Sequence, residues 1–407
     1  MSKKISILRR CLLTWLGVIA ILGIGACVTS IPSSSGTAET SEVSALRQVV
    51  SVAFGPDGKL WRIVPTKNFV FASYSEDSGR TFSQPVAVNS KPLRIRATPE
   101  DRPSLVIDDK GWIYVVFIAD SAMPWSGFFS LSKDGGKHFS EPVLISDQAH
   151  RFKYYQNVIA MNDQGNAYVF WSDEREHGAA SGKGNTMYYS VIDPAEPLRL
   201  SNYKVNDSMC ECCRLAIDFD TSGNPVVLSR TLYDDKVRDH GISSRLGDDR
   251  WLQRRVTYDE WQIQACPEHG PALSIGKKGR YHMTWFTLGN KRKGIFYAYS
   301  DNQGNSLSKP IPLGNLAHLP GHADVLTLEE SVVVVWQEFD GKKTMIKAQQ
   351  SKNRGEDWSS TRVIASSKDV VDYPFLVSDG QEMFVSWNSK DYGYRLLPLA
   401  LKNAMRK

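Results

Sequence analysis

SEDSGRTF at residues 75–82 and SKDGGKHF at residues 132–139 share one pattern, Ser-x-Asp-x-Gly closed by an aromatic residue three positions later. It returns with Asn in place of Asp at Ser300-Asn302-Gly304-Leu307 and Ser351-Asn353-Gly355-Trp358. The first two copies start 57 positions apart and the last two 51, while Ser132 and Ser300 are separated by 168, three intervals of 56. Degenerate copies are then expected near 188 and 244, where Tyr189-Ser190 and Ser244–Trp251 stand. A recurrence of this length marks a repeat architecture, in which each unit buries its apolar face against the next.

A second element keeps the same period: an alternating apolar strand, a short turn and another apolar strand. Its copies are Val49–Val64, Ser104–Phe117, Val158–Trp171, Ala216–Leu228, Leu273–Trp285, Ala323–Trp336 and Phe375–Trp387. Six turn over a glycine (Gly58, Gly111, Gly165, Gly223, Gly279, Gly380) and the sixth copy over Glu329-Glu330. A unit of about 50 residues holds four strands of about 5–6 residues with their turns, and no helical period competes. The fold class predicted is all-β: a β-propeller of seven four-stranded blades, with six as the alternative. The last unit offers only three strands, so Glu42–Gln48 is expected to supply its fourth and close the ring, removing exposed edges.

The chain has 407 residues, 42% of them hydrophobic and 23% charged, enough to bury a core. The formal charge of +5 owes four positive charges to Lys3, Lys4, Arg9 and Arg10, which leaves about +1 for the rest and excludes electrostatic binding of nucleic acid. Those four residues precede an apolar run from Cys11 to Ile24 that falls short of the roughly 20 residues needed to span a bilayer. Residues 1–26 read as a signal peptide. Ile24-Gly25-Ala26-Cys27 resembles a bacterial lipobox, which implies lipidation of Cys27, and Val28 points to the outer membrane, facing the periplasm or the surface. Residues 27–41 read as a flexible tether, followed by one propeller over 42–407.

The Ser-x-Asp-x-Gly-x-Thr-aromatic element resembles the Asp-box, or bacterial neuraminidase repeat, of the sialidase superfamily. That resemblance implies a propeller with these turns on one face, and with the segments leading into the innermost strands on the other, around a channel. The latter segments carry Glu100-Asp101-Arg102, Tyr154–Asn157, Cys210–Arg214, Cys266–Gly270, Gly321-His322 and Asp372-Tyr373. By resemblance to active sialidases, Tyr373 is the candidate nucleophile, Glu338 its assistant, Asp101 or Asp173 the acid, and Arg102, Arg214 and Arg230 the clamp on a substrate carboxylate. The sequence departs from those enzymes where Pro374 follows Tyr373. It departs again before the first unit, where Ala45–Val49 replaces an Arg-Ile-Pro motif.

Four cysteines remain once Cys11 and Cys27 are set aside: Cys210, Cys212, Cys213 and Cys266. Pairing all four forces one bridge inside Cys210–Cys213, where disulfide geometry is hard to reach. The alternatives are one disulfide from Cys266 into the cluster, a redox role, or a soft metal such as Cu(I) or Zn(II) held by Cys210, Cys212, Cys213, Cys266 and His269. His322 reads as a solvated loop histidine. The functional expectation is a monomeric, membrane-tethered binding protein that takes a small molecule or glycan on its channel face. An exo-α-sialidase-type glycoside hydrolase and an envelope scaffold are the alternatives.

Overall fold

The structure, a computed structural model, describes residues 48–399 apart from 121–124, 149–150, 177–182, 235, 248–249, 264 and 266. The leader, tether, Cys27 and Cys266 lie outside the described residues, as do residues 42–47 of the expected closing strand. No helix among the described residues is long and apolar enough to cross a membrane.

The chain is built from antiparallel sheets taken in order. The first holds β1–β4 (Ser51–Phe54, Leu60–Pro65, Val70–Ser75, Val86–Ala87); the second holds β5–β9 (Arg94–Arg96, Ser104–Ile107, Ile113–Asp120, Ser126–Ser132, Val143–Leu144). Next come β10–β13 (Tyr154–Met161, Ala167–Asp173, Asn185–Ile192, Tyr203–Met209) and β14–β17 (Ala216–Phe219, Pro225–Tyr233, Val237–Arg245, Trp251–Arg255). These two units join through the single pair Met209–Thr231. They are followed by β18–β21 (Ala272–Ile275, Tyr281–Leu288, Lys293–Ser300, Ile311–Leu313) and β22–β25 (Gly321–Leu328, Ser331–Phe339, Thr344–Ser351, Arg362–Ser367). Last is the three-stranded β26–β28 (Phe375–Ser378, Met383–Ser389, Gly393–Pro398). Each hairpin read from the sequence is present, β1–β2 through β26–β27.

The hairpin turns need a left-handed residue. Gly58 supplies it at φ 76°, and where the sixth hairpin lacks glycine Glu329 adopts φ 53° instead. The Ser-x-Asp turns are equally local. Ser75 Oγ accepts from Gly79 N at 2.8 Å and Asp77 Oδ1 from Thr81 N at 2.8 Å. The same two bonds recur from Ser132/Asp134, Ser300/Asn302 and Ser351/Asn353. At the two degenerate positions the third strands β12 and β16 simply run through 188 and 244.

Second strands such as β11 (AYVFWSD) and β23 (SVVVVWQEF) are continuous apolar runs because each sheet is packed on both faces. The core therefore lies between sheets, around Trp171, Trp336 and Trp387, each at most 1% exposed. Burying one such side chain removes about 200 Å² from water, roughly 5 kcal/mol. The innermost strands touch in the order β1, β6, β10, β14, β18, β22, β26 and then β1 again. Among the described residues the first and last units also meet through β27, where Phe384 lies 5.7 Å from Phe54 and Asn388 Nδ2 donates to Gln48 O at 2.9 Å.

Candidate functional site

The segments leading into the innermost strands converge at one end of this circuit, and three of them are kinked. Gln156, Glu268 and His322 have φ of 50°, 51° and 53°, and register breaks fall at Tyr155/Val158 and Gly321/Asp324. Left-handed backbone at a non-glycine residue costs on the order of 1 kcal/mol or more and persists only where the surroundings impose it.

Glu100 is the hub of what they build. Its fully buried carboxylate accepts from Arg214 N (3.1 Å), Arg214 Nη1 (3.3 Å), Gly270 N (2.9 Å) and His322 Nδ1 (3.2 Å). Burial pushes its pKa up, but Arg214 and His322 prevail and hold it at about 2. An ionised carboxylate only accepts, so the His322 proton sits on Nδ1. Beside this hub Arg102 grips Asp372 with two bonds of 2.6 and 3.0 Å. Asp372 also accepts from Val50 N at 3.1 Å, joining the first, second and last units. Phe375 lies under both guanidinium groups, 4.1 Å from Arg102 and 5.1 Å from Arg214.

Above these charges runs a stack of rings: Phe286 on His269 (4.0 Å between centroids), His269 on His322 (4.3 Å) and His322 on Tyr373 (3.4 Å). Phe286, His269 and Tyr373 are half-exposed, while His322 is 9% exposed. His322 is thus a buried partner of Glu100 and not the solvated loop residue expected. Burial drives the His269 pKa down to about 3 and the Tyr373 phenol upward, so both rings are neutral near pH 7.

A cavity of about 370 Å³ is lined by inner strands and the segments leading into them, among the residues Glu100, Arg102, Asn157, Arg214 and Phe375. Asn157 is 3% exposed, and neither Oδ1 nor Nδ2 has a protein partner. Next to it Asp101 is buried with Oδ1 unpartnered, and burial pushes its pKa up to about 6 against the pull of Arg96 and the Gln156 and Asn157 amides.

The thiols gather at the segment leading into β14. Cys210 Sγ stands 3.8 Å from Cys212 Sγ and 3.7 Å from Cys213 Sγ. Arg238 Nη1 donates to Cys210 Sγ at 3.0 Å. Hydrogen bonds from Cys212 and Cys213, then Arg238, lower the Cys210 pKa well below that of a free thiol. Among the described residues these three sulfurs are the one group of three or more such ligand atoms all within 4.8 Å of one another. His269 is not in the group; its ring is taken up by the stack.

The remaining candidates are dispersed. Arg230 is 1% exposed and donates to Arg238 O, His269 O and Phe286 O, bracing the backbone beneath the stack. Arg102 and Arg214 are each committed to a protein carboxylate, so the three arginines form no open clamp. Glu338 lies away from Tyr373: Trp336 Nε1 (2.8 Å), Lys347 Nζ (2.7 Å) and Asn315 N (3.2 Å) saturate it. Asp173 repeats that arrangement, accepting from Trp171 Nε1 at 3.1 Å and from Arg175. Both are acids two residues beyond a core tryptophan, which latch the indole. After burial, the carboxylates that push the Tyr373 phenol up are Glu100, Glu268 and Asp372, and Glu338 is not among them.

Phe286 and Arg238 were not singled out by the sequence. For Phe286 a signal existed: it follows Trp285 in β19, and strand alternation turns it away from the core that Trp285 enters. Arg238 carried none, since nothing local ties it to a cysteine 28 positions away.

No family model matches the sequence, and no curated protein matches it. Solved structures match as folds. A polysaccharide lyase, ulvan lyase, described as bound to -[GlcA(1-4)Rha3S]-, superposes with a TM-score of 0.52 at 12% identity over 88% of this chain and 94% of its own. A second structure of a lyase so described gives 0.53 at 12% identity over 87% and 92%. An intramolecular trans-sialidase from Ruminococcus gnavus gives 0.47 at 11% identity over 77% and 95%. The fold is shared with the two ulvan lyase structures, and at such identities the likeness speaks for fold alone.

Proposed function

We propose that this protein is a carbohydrate-active, seven-bladed propeller, tethered to the outer membrane through Cys27, that takes a saccharide at the mouth of its channel. The observation that carries this reading is the stack Phe286–His269–His322–Tyr373, which offers half-exposed neutral rings beside ionised carboxylates and the unpartnered amide of Asn157. A sugar ring has an apolar C–H face that packs on an aromatic ring and a rim of hydroxyls that needs fixed donors and acceptors. Both meet at Glu100, which contacts His322 of the stack and lines the cavity with Asn157. The guanidinium groups are already neutralised, which favours recognition through hydroxyls over capture of a substrate carboxylate. The saccharide described in the ulvan lyase structure supports a carbohydrate as the ligand class.

Cleavage is a second reading, favoured by Asp101. A buried carboxyl with a pKa of about 6 is partly protonated near neutral pH and can serve as a proton donor. Binding is tested on a glycan array with the full chain, followed by calorimetry on each hit. His269→Ala and Tyr373→Ala, checked by circular dichroism, are expected to weaken binding by about tenfold or more. An array with no hit, or variants that bind like the parent, sinks the reading. Release of a fluorescent leaving group from glycosides, lost in Asp101→Asn, separates cleavage from binding. Cys27→Ser is expected to release the chain from the membrane fraction.

A further inference from the structure

Beside the mouth, and outside the ring stack, the three cysteines form a site with its own chemistry. Their separations of 3.8 and 3.7 Å are far longer than the ~2.05 Å of a disulfide. They match another geometry. Thiolates about 2.3 Å from a shared tetrahedral centre lie about 3.8 Å apart.

The protein fixes this arrangement from both ends of the turn. Cys210 N donates to Arg230 O at 3.0 Å, and Arg214, one residue past Cys213, is held by Glu100 through its amide and guanidinium. Cys210 and Cys213 are buried and Cys212 is half-exposed, so a centre between them is reached from the Cys212 side. Three thiolates around a divalent ion carry a net charge of −1. The single guanidinium of Arg238, 3.0 Å from Cys210 Sγ, balances that charge and donates to a ligand sulfur, as outer-shell partners of metal sites do. An all-sulfur set selects a thiophilic ion over magnesium or calcium.

We propose that Cys210, Cys212 and Cys213 bind one zinc ion as three thiolates, with Arg238 as the outer-shell partner. The site is independent of the saccharide reading and stands or falls separately from it.

The test uses the full mature chain, purified anaerobically with reductant. Zinc is expected at one equivalent per chain by elemental analysis, and Co(II) in its place is expected to give the strong sulfur-to-metal absorption of a thiolate-rich tetrahedral site. Cys212→Ser, the substitution at the half-exposed ligand, is expected to abolish that band, and Arg238→Gln to lower zinc affinity about tenfold. Because the Co(II) spectrum is read on the parent protein, a cysteine variant that fails to fold leaves the test decisive. No bound zinc or cobalt, a disulfide within Cys210–Cys213 in the reduced preparation, or stoichiometric Cu(I) that zinc cannot displace overturns the assignment.

Discussion

Asp77 and Glu100 are two carboxylates held at nearly the same pKa, about 2, by opposite means. Asp77 is half-buried at the surface, and its own turn does the work: the Thr81 amide, the Ser75 hydroxyl and the Thr81 hydroxyl all lie within four residues. Glu100 is buried and relies on Arg214, Gly270 and His322, which are 114, 170 and 222 positions away. One end of the propeller is therefore assembled from local turns, each complete in itself. The other exists only when several units are in place. Local turns fix where strands reverse, whereas the long-range charges hold the approach segments of several units together.

The contrast is broken most directly at Glu100. Glu100→Ala leaves Arg214 Nη1 and the Arg214 and Gly270 amides buried without their acceptor, and the Arg214 charge without its carboxylate, and is expected to cost about 3–5 kcal/mol in denaturant unfolding. A loss no larger than that of an Asp77 variant would abolish the distinction between the two ends. The sign with pH follows from the lowered value. The stabilisation from Glu100 is complete above about pH 4.5 and is lost as pH falls towards 2. The acid limb of the wild-type stability curve is thus expected to flatten in Glu100→Gln.

Asp372→Asn weakens the pair that joins the first, second and last units. Arg102 keeps some contact with solvent, so the expected cost is smaller, about 2–3 kcal/mol, with earlier hydrogen exchange in β1 and β26 than in β14. Uniform exchange across the strands would show that closure does not depend on this pair.

The neighbouring Asp101 sharpens the comparison because its shift has the opposite sign. A carboxyl raised to about 6 favours the folded state fully below about pH 3.8, and that advantage is lost as pH rises through 6. Asp101→Asn, which cannot ionise, is expected to gain on the order of 2 kcal/mol over the parent between pH 4 and pH 7.5, read from thermal midpoints. A constant difference across that range would mean that Asp101 is not desolvated. The smallest effect is expected at the turns: Asp77→Ala should lower the midpoint least of these variants and leave the channel mouth unchanged, as judged by ligand binding.

Much of the architecture was legible in the chain. The hairpins were placed correctly because alternation and turn residues are local properties, as at Val332–Val335 and Gly58. The approach segments were recognised as the chemically loaded ones because the period puts them at equivalent places. Their partners were not legible. Glu338 and Asp173 looked available as acids, yet each latches a tryptophan two residues back, a role visible only once the indole orientation is known. The arginines looked like a clamp, and tertiary structure turned them onto Asp372, Glu100 and backbone carbonyls. His269 was grouped with the cysteines by spacing, whereas the fold put its ring between Phe286 and His322.

Sequence alone determined the repeat, the strands and the self-contained turns, because each of those depends on bonds between residues a few positions apart. Which carboxylate meets which arginine at the channel mouth and which rings stack there was decided by how the sheets come together. Those contacts join residues 17 to more than 300 positions apart, and at that range the free energy of a pair depends on burial and orientation that no local pattern encodes.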